Sequence, residues 1–209
     1  MDKKYFDTVL SRLKKEYGEE TSALEFSNPY ELLIATILAA QCTDKRVNIV
    51  TKDLFRLYPD AASQAEADKN DVEDCIRSCG FYRNKAKNII ACAAMLRDEF
   101  GGEVPEDMES LTQLPGVGRK TANVVRAFGF GLPAMPVDTH VGRVARRLGF
   151  SESGNPDVVE RDLCSVIPEK DWSDAHHWLI WHGRRVCSSQ RPKCADCLLN
   201  DICVYYTKK

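Results

Sequence analysis

The chain lacks any apolar run long enough to cross a bilayer. Its longest, Leu32 to Ala40, is interrupted by Thr36 and falls well short of the ~20 residues a span requires. Its first residues, MDKKYFDTVL, carry charge with no sustained apolar stretch behind them, so no targeting segment is expected and the protein reads as soluble and cytoplasmic. Net charge is also missing. Lys and Arg number 29 against 31 Asp and Glu, leaving −2, so bulk charge alone does not announce a nucleic-acid partner. Internal repeats, low-complexity tracts and long Gly/Pro/Ser linkers are absent, which excludes repeat arrays and loosely tethered domains. Nor are there several alternating apolar/polar stretches bounded by hairpin turns, which excludes an all-β architecture. With 209 residues, one large domain or two closely joined small ones can each bury a core.

What is present is helical spacing. Tyr5, Val9, Leu10 and Leu13 share a face; Asn28-Pro29 opens a second helix through YELLIATILAA; Thr43 or Asp44 can cap a third carrying Val47, Val50, Leu54 and Phe55. Residues 81–100 place Ile89, Ile90, Ala93, Met95 and Leu96 on one side, and Gly101-Gly102 stops them. Further helices are predicted over 120–129, 139–149, 156–167 and 172–182. The expected fold class is all-α.

Charge is sorted along the chain rather than spread evenly. Arg119, Lys120, Arg126, Arg143, Arg146 and Arg147 face a single acid, Asp138, between residues 119 and 147; Arg184, Arg185, Arg191 and Lys193 follow with none. Acids collect elsewhere, as at Asp98, Glu99, Glu103, Glu106, Asp107 and Glu109. Such sorting can present a basic face to a polyanion, although each cluster alone also fits an ordinary solvated face. The stretch LPGVGRKTANVV, residues 114–125, lies at the head of the basic run. Pro115 ends what precedes it, and Gly116 and Gly118 permit turn angles that other residues resist. Amides of a glycine turn that opens a helix form an anion site, so the stretch can hold a phosphate or serve as a tight connection.

The nine cysteines fall into two groups. Cys42, Cys75, Cys79, Cys92 and Cys164 are scattered through helical pattern, where reduced buried thiols are expected. Cys187, Cys194, Cys197 and Cys203 form a C-x6-C-x2-C-x5-C array, which in a chain without export signals reads as a metal site. Zinc usually takes paired C-x2-C knuckles, whereas iron–sulfur clusters accept varied thiolate spacings. Spacing alone leaves both open.

LPGVGRKTANVV, then VDTH from Val137 to His140, then the cysteine array, together resemble endonuclease III, a branch of the helix-hairpin-helix DNA glycosylases. SNPYELLIATILAAQCTD (27–44), GFYRNKA (80–86) and HHWLIWHGR (176–184) extend the resemblance from about residue 25 to 204. It implies a two-lobed all-α fold. One lobe is a six-helix barrel over 22–132 containing the hairpin at about 108–127; residues 1–21 and 133–209 form the other, with a [4Fe–4S] cluster held by Cys187, Cys194, Cys197 and Cys203. Damaged double-stranded DNA is the implied partner, and the protein is expected to act as a monomer, associated with the nucleoid in a bacterium.

The resemblance also assigns chemistry. Lys120 becomes a nucleophile whose primary amine attacks C1′ of the damaged nucleotide, expels the base and leaves a Schiff base. That imine acidifies the C2′ proton, and the 3′ phosphate departs by β-elimination, making a bifunctional DNA glycosylase and AP lyase for oxidised pyrimidines. Asp138 is the carboxylate that stabilises cationic character at C1′, a role compatible with its other reading as a helix N-cap. Gln41 and Phe81 are implied to fill the gap left by the extruded nucleotide. They also fit a polar helix end and a core aromatic at a helix start, and relatives carry leucine where this chain has Phe81. Gly116, Val117, Gly118, Arg119, His140, Arg143, Arg184, Arg191 and Lys193 complete the expected DNA contacts. Three other readings compete. An adenine-specific glycosylase is opposed by Lys120 and by the chain's end at Lys209, and an 8-oxoguanine glycosylase by the four cysteines. A non-catalytic helix-hairpin-helix DNA-binding module would use the hairpin only as a phosphate clamp.

Overall fold

A computed structural model describes residues 2–207, which are helical and contain no strand. The chain divides into two compact units, Ser22–Gly131 and Met1–Thr21 with Leu132–Lys209.

In the first unit, α2 (Pro29–Ala39) starts at Asn28, whose side chain accepts from the Glu31 amide, with Pro29 in the first turn. Every residue from Leu32 to Leu38 is buried, so α2 is apolar all round and forms the centre of the unit. The apolar run seen in the sequence is thus a core helix. Around it lie α3 (Asp44–Leu57), capped by Thr43, the short α4 (Ala61–Ala65) and α5 (Lys69–Ile76), and α6 (Tyr82–Glu99). α7 (Met108–Gln113) and α8 (Arg119–Val124) complete the unit. Gly101 (φ +64°) and Gly102 (φ +89°) end α6, and the Gly102 amide donates back to the Leu96 carbonyl at 2.8 Å. Leu33, Ile34, Leu54, Ile76, Ile89, Leu96 and Leu111 lie in one continuous core.

The predicted helix over 120–129 is not uniform. Regular α geometry ends at Val124, and Val125–Gly129 form one wide π turn. A Cβ at Gly129 would stand 3.5 Å from Leu32 and Pro29, so the wide turn brings a residue without a side chain against the start of α2.

In the second unit, α1 (Lys3–Tyr17) buries Phe6, Val9, Leu10, Leu13 and Tyr17. Its core also takes Val141 and Val144 from α9 (Thr139–Arg147), Leu163 from α10 (Pro156–Val166), and Trp178 and Leu179 from α11 (Trp172–Arg185). Tyr5 stays half-exposed and donates its hydroxyl to the Leu148 carbonyl at 2.9 Å, whereas its neighbour Phe6 packs on Phe150, ring centroids 4.8 Å apart. The helix predicted over 139–149 stops at Arg147 because Gly149 takes φ +75° and Phe150 donates back to Ala145. That over 172–182 continues to Arg185.

Candidate active site and thiolate centre

The hairpin begins where α7, capped by Asp107, gives way to extended Leu114. Gly116 has φ +84°, and a Cβ there would lie 3.0 Å from the Cβ of Asn88. It is required both by its angle and by its neighbours. Gly118 differs from the expectation. At φ −100° and ψ 176° it is extended, a conformation open to any residue, and a Cβ there would meet nothing within 4 Å. Val117 is buried and its amide donates to the Leu114 carbonyl at 3.0 Å, so the turn itself uses that donor. α8 follows, with Arg119 and exposed Lys120 as its first two residues.

Asp138 is the N-cap of α9, and its Oδ1 accepts from the Val141 amide at 2.8 Å. That bond fixes one carboxylate oxygen and orients the other. One turn on, Arg143 donates from Nε to the Cys187 carbonyl (3.0 Å) and from Nη2 to the Gly183 carbonyl (2.9 Å), and Nη2 lies 3.1 Å from Nδ1 of His140. Arg143, expected among the DNA contacts, thus also braces α9 against the Gly183 and Cys187 carbonyls through Nε and Nη2. Arg184 is exposed, with its guanidinium 5.3 Å from the centre of the Trp181 ring.

Among the described residues three non-glycine residues have positive φ: Gln41 (54°), Phe81 (57°) and Arg191 (48°). Each is on an exposed loop, and each belongs to the DNA contacts expected from sequence. Phe81 is not the core aromatic that its position also allowed. It is 69% exposed, and it precedes α6 with no side-chain cap bond. Left-handed backbone costs a residue with a side chain roughly 1–2 kcal/mol, and an exposed phenyl ring recovers little by packing.

Cys187, Cys194, Cys197 and Cys203 are free and line one cavity, together with Leu148, His182, Pro192 and Tyr205. Donors approach the sulfurs: Arg147 Nη1 lies 3.3 Å from Cys187 Sγ, and the Leu199 amide donates to Cys197 Sγ at 3.4 Å. Arg147 also donates to the Ser188 and Ser189 carbonyls and lies over the Tyr205 ring at 4.6 Å, so it ties the cysteine loop to α9. His182 is buried, with Nδ1 3.2 Å from the Tyr17 hydroxyl and Nε2 3.7 Å from Cys197 Sγ; burial pulls its pKa down to about 4. Burial pushes the Cys197 thiol up, and does the same at Cys187 against the opposing pull of Arg147. In the sequence Arg147 stood out only as a member of a basic run, and His182 only as part of the HHWLIWHGR stretch. Lys193 donates its amide to the Val186 carbonyl at 3.1 Å, closing the loop that displays Arg191. Among the described residues no three His, Cys, Asp or Glu side chains converge closely enough to hold one metal ion.

A hairpin displaying a lysine, a capped carboxylate and a four-thiol cavity define a class of protein. The description "HhH-GPD superfamily base excision DNA repair protein" fits residues 34–169. The chain is 50% identical to endonuclease III of Synechocystis over 93% of its length and 90% of that protein. To the Escherichia coli (strain K12) endonuclease III it is 44% identical over 96% of this chain and 95% of that one. A solved endonuclease III, trapped as a covalent intermediate with DNA in an estranged-adenine complex, superimposes with a TM-score of 0.94 at 45% identity, covering 100% of this chain and 98% of that one. The chain belongs to the endonuclease III family. No helix among its described residues is long and apolar enough to cross a membrane.

Proposed function

We propose that the protein excises oxidised pyrimidines from duplex DNA and then cleaves the strand at the abasic site, with Lys120 as nucleophile and Asp138 as the carboxylate that supports charge at C1′. The observation that carries this reading is the set of left-handed residues. Gln41, Phe81 and Arg191 hold unfavourable backbone angles on exposed loops, and strain of that kind persists where a bound partner uses it. All three are residues that the resemblance assigns to DNA. The trapped covalent DNA intermediate of the solved relative supports a covalent mechanism here too. Lys120 is exposed on the first turn of α8, so its amine can reach a sugar drawn out of the duplex. Gly118 leaves open space beside that turn for a phosphate.

The thiolate centre fits a [4Fe–4S] cluster better than one zinc ion. Zinc bound at ~2.3 Å by four thiolates would draw the sulfurs to about 3.8 Å from one another. Here the four thiols border one cavity, and amide and guanidinium donors point at two of them, as would suit thiolates that hold a cluster and accept hydrogen bonds. When bound, such a cluster would tie residues 187–203 into one loop that displays Arg191 and Lys193 to phosphates.

Borohydride trapping on duplex DNA carrying an oxidised pyrimidine tests the proposal. A covalent adduct with the native chain that disappears in Lys120→Gln is expected. Excision without any trappable adduct would remove Lys120 as the nucleophile, and binding without excision would leave only a DNA-binding module.

A further inference from the structure

The buried lysine of the first unit has no part in the chemistry above. Lys85 is 5% exposed on the first turn of α6, and its Nζ donates to the Leu38 carbonyl at 2.8 Å. Leu38 belongs to the last turn of α2, a helix that carries no basic residue of its own there. Three residues further on is Gln41, in left-handed conformation. At its other end Lys85 is tied to Phe81, because its amide donates to the Phe81 carbonyl at 3.1 Å. The two loops also touch directly: a Cβ on Gly80 would come within 3.1 Å of the Gln41 carbonyl. One side chain thus bonds the helix end that launches Gln41, while its backbone bonds the residue that displays the phenyl ring.

An unpaired buried ammonium is costly, and apolar side chains would fill the same space without that cost. Burial does pull the Lys85 pKa down, with the Cys79 and Cys42 thiols acting the other way. A cation at the C-terminus of α2 offsets the negative end of that helix and satisfies a carbonyl left without a helical donor. An apolar residue can do neither. We propose that Lys85 is a positioning residue, a strut that fixes Gln41 and Phe81 relative to each other so that both enter the duplex together. This deepens the reading of Gln41 and Phe81 as gap-filling residues and rests on it.

The test compares native protein, Lys85→Met, Phe81→Ala and the double variant on one oxidised pyrimidine, either paired in a duplex or placed in an unpaired bubble. Lys85→Met is expected to lower kcat/KM on the paired lesion roughly tenfold, the effect of losing a charge-assisted bond that positions a binding group. On the unpaired lesion it should stay within about twofold, because little unpairing remains to be done. In the Phe81→Ala background it should cost clearly less on the paired lesion than in the native background, since part of its effect passes through the ring that this variant lacks. Equal losses on both substrates, or additive losses in the double variant, would reduce Lys85 to a structural residue and overturn the proposal. If Lys85→Met does not fold, Lys85→Gln, which removes the charge and shortens the reach to the Leu38 carbonyl, carries the same comparison. Phe81→Ala that shows no dependence on pairing would remove the gap-filling reading itself, an outcome separable from the failure of Lys85.

Discussion

Phe81→Gly is expected to make the protein more stable and a worse enzyme at once. At φ 57° a residue with a side chain carries roughly 1–2 kcal/mol of backbone strain, which glycine does not. Glycine also loosens the unfolded chain, at a cost of about 0.5–1 kcal/mol, so the net gain is about 0.5–1 kcal/mol. For a chain of this size that corresponds to a rise in Tm of about 1–4 °C. Little packing is lost in exchange, because the ring is 69% exposed. Phe81→Ala keeps the strain and removes the ring, so its Tm should barely move, against the 3–5 kcal/mol expected for truncating a buried phenylalanine. Both variants should slow excision from paired duplex. If the ring stacks on bases beside the gap, its loss removes about 1–3 kcal/mol, or roughly 5- to 150-fold in rate. Phe81→Leu keeps an apolar side chain and should remain near the native rate. Thermal melting with single-turnover excision on paired and unpaired lesions reads all three variants. A fall in Tm of many degrees for Phe81→Ala, or native duplex excision by Phe81→Gly, would refute the reasoning.

Asp138→Asn should melt with the native protein, since asparagine caps a helix as well as aspartate, yet lose base excision far more than strand cleavage at a preformed abasic site. Asp138→Ala should lose about 1 kcal/mol of stability as well, and melting curves of the two variants separate cap from carboxylate. Anaerobically purified protein should contain about four irons per chain, and Cys197→Ser should lower that content and weaken DNA binding; stoichiometric zinc without iron would sink the cluster assignment. Gly116→Ala should destabilise the fold by about 1–3 kcal/mol through its angle and its contact with Asn88, whereas Gly118→Ala should leave Tm unchanged and weaken binding to abasic DNA. A Gly118 variant that binds as tightly as the native chain would end the phosphate role of that position.

Much of the architecture was legible because helix signals are local. Asn28-Pro29, Thr43, Asp138 and Gly101-Gly102 mark helix ends through bonds made within a few residues, and each marks one in the structure. The short helices α4 and α5 were not legible, because five to eight residues hold too few turns for a periodicity to stand out. The site divides along the same line. The hairpin and the cysteine array are contiguous in sequence, and so they were found. The bracing role of Arg143 was not legible because its partners, Cys187 and Gly183, lie some forty positions away. Arg147 and Lys85 were overlooked for the same reason: their bonds to Cys187 and Leu38 belong to the tertiary fold.

Gly116 and Gly118 show why a motif can be read correctly and explained wrongly. From sequence the two look equivalent, two small residues around one valine. In the structure the first answers to the fold, since its positive φ and its contact with α6 allow nothing larger. No feature of the described chain requires the second, which has an ordinary extended backbone and no neighbour near its missing Cβ. A glycine that its own fold does not need makes sense when the constraint comes from outside the chain. Beside the first turn of α8, the backbone phosphate proposed to bind there would supply such a constraint, because a Cβ would hold it away from the amides. Phe81 is the complementary case, with backbone strain that the fold does not repay and a ring that the fold does not bury. Both positions are unfavourable or unexplained in the isolated chain, and both would acquire a physical reason from the duplex that the proposed function places there.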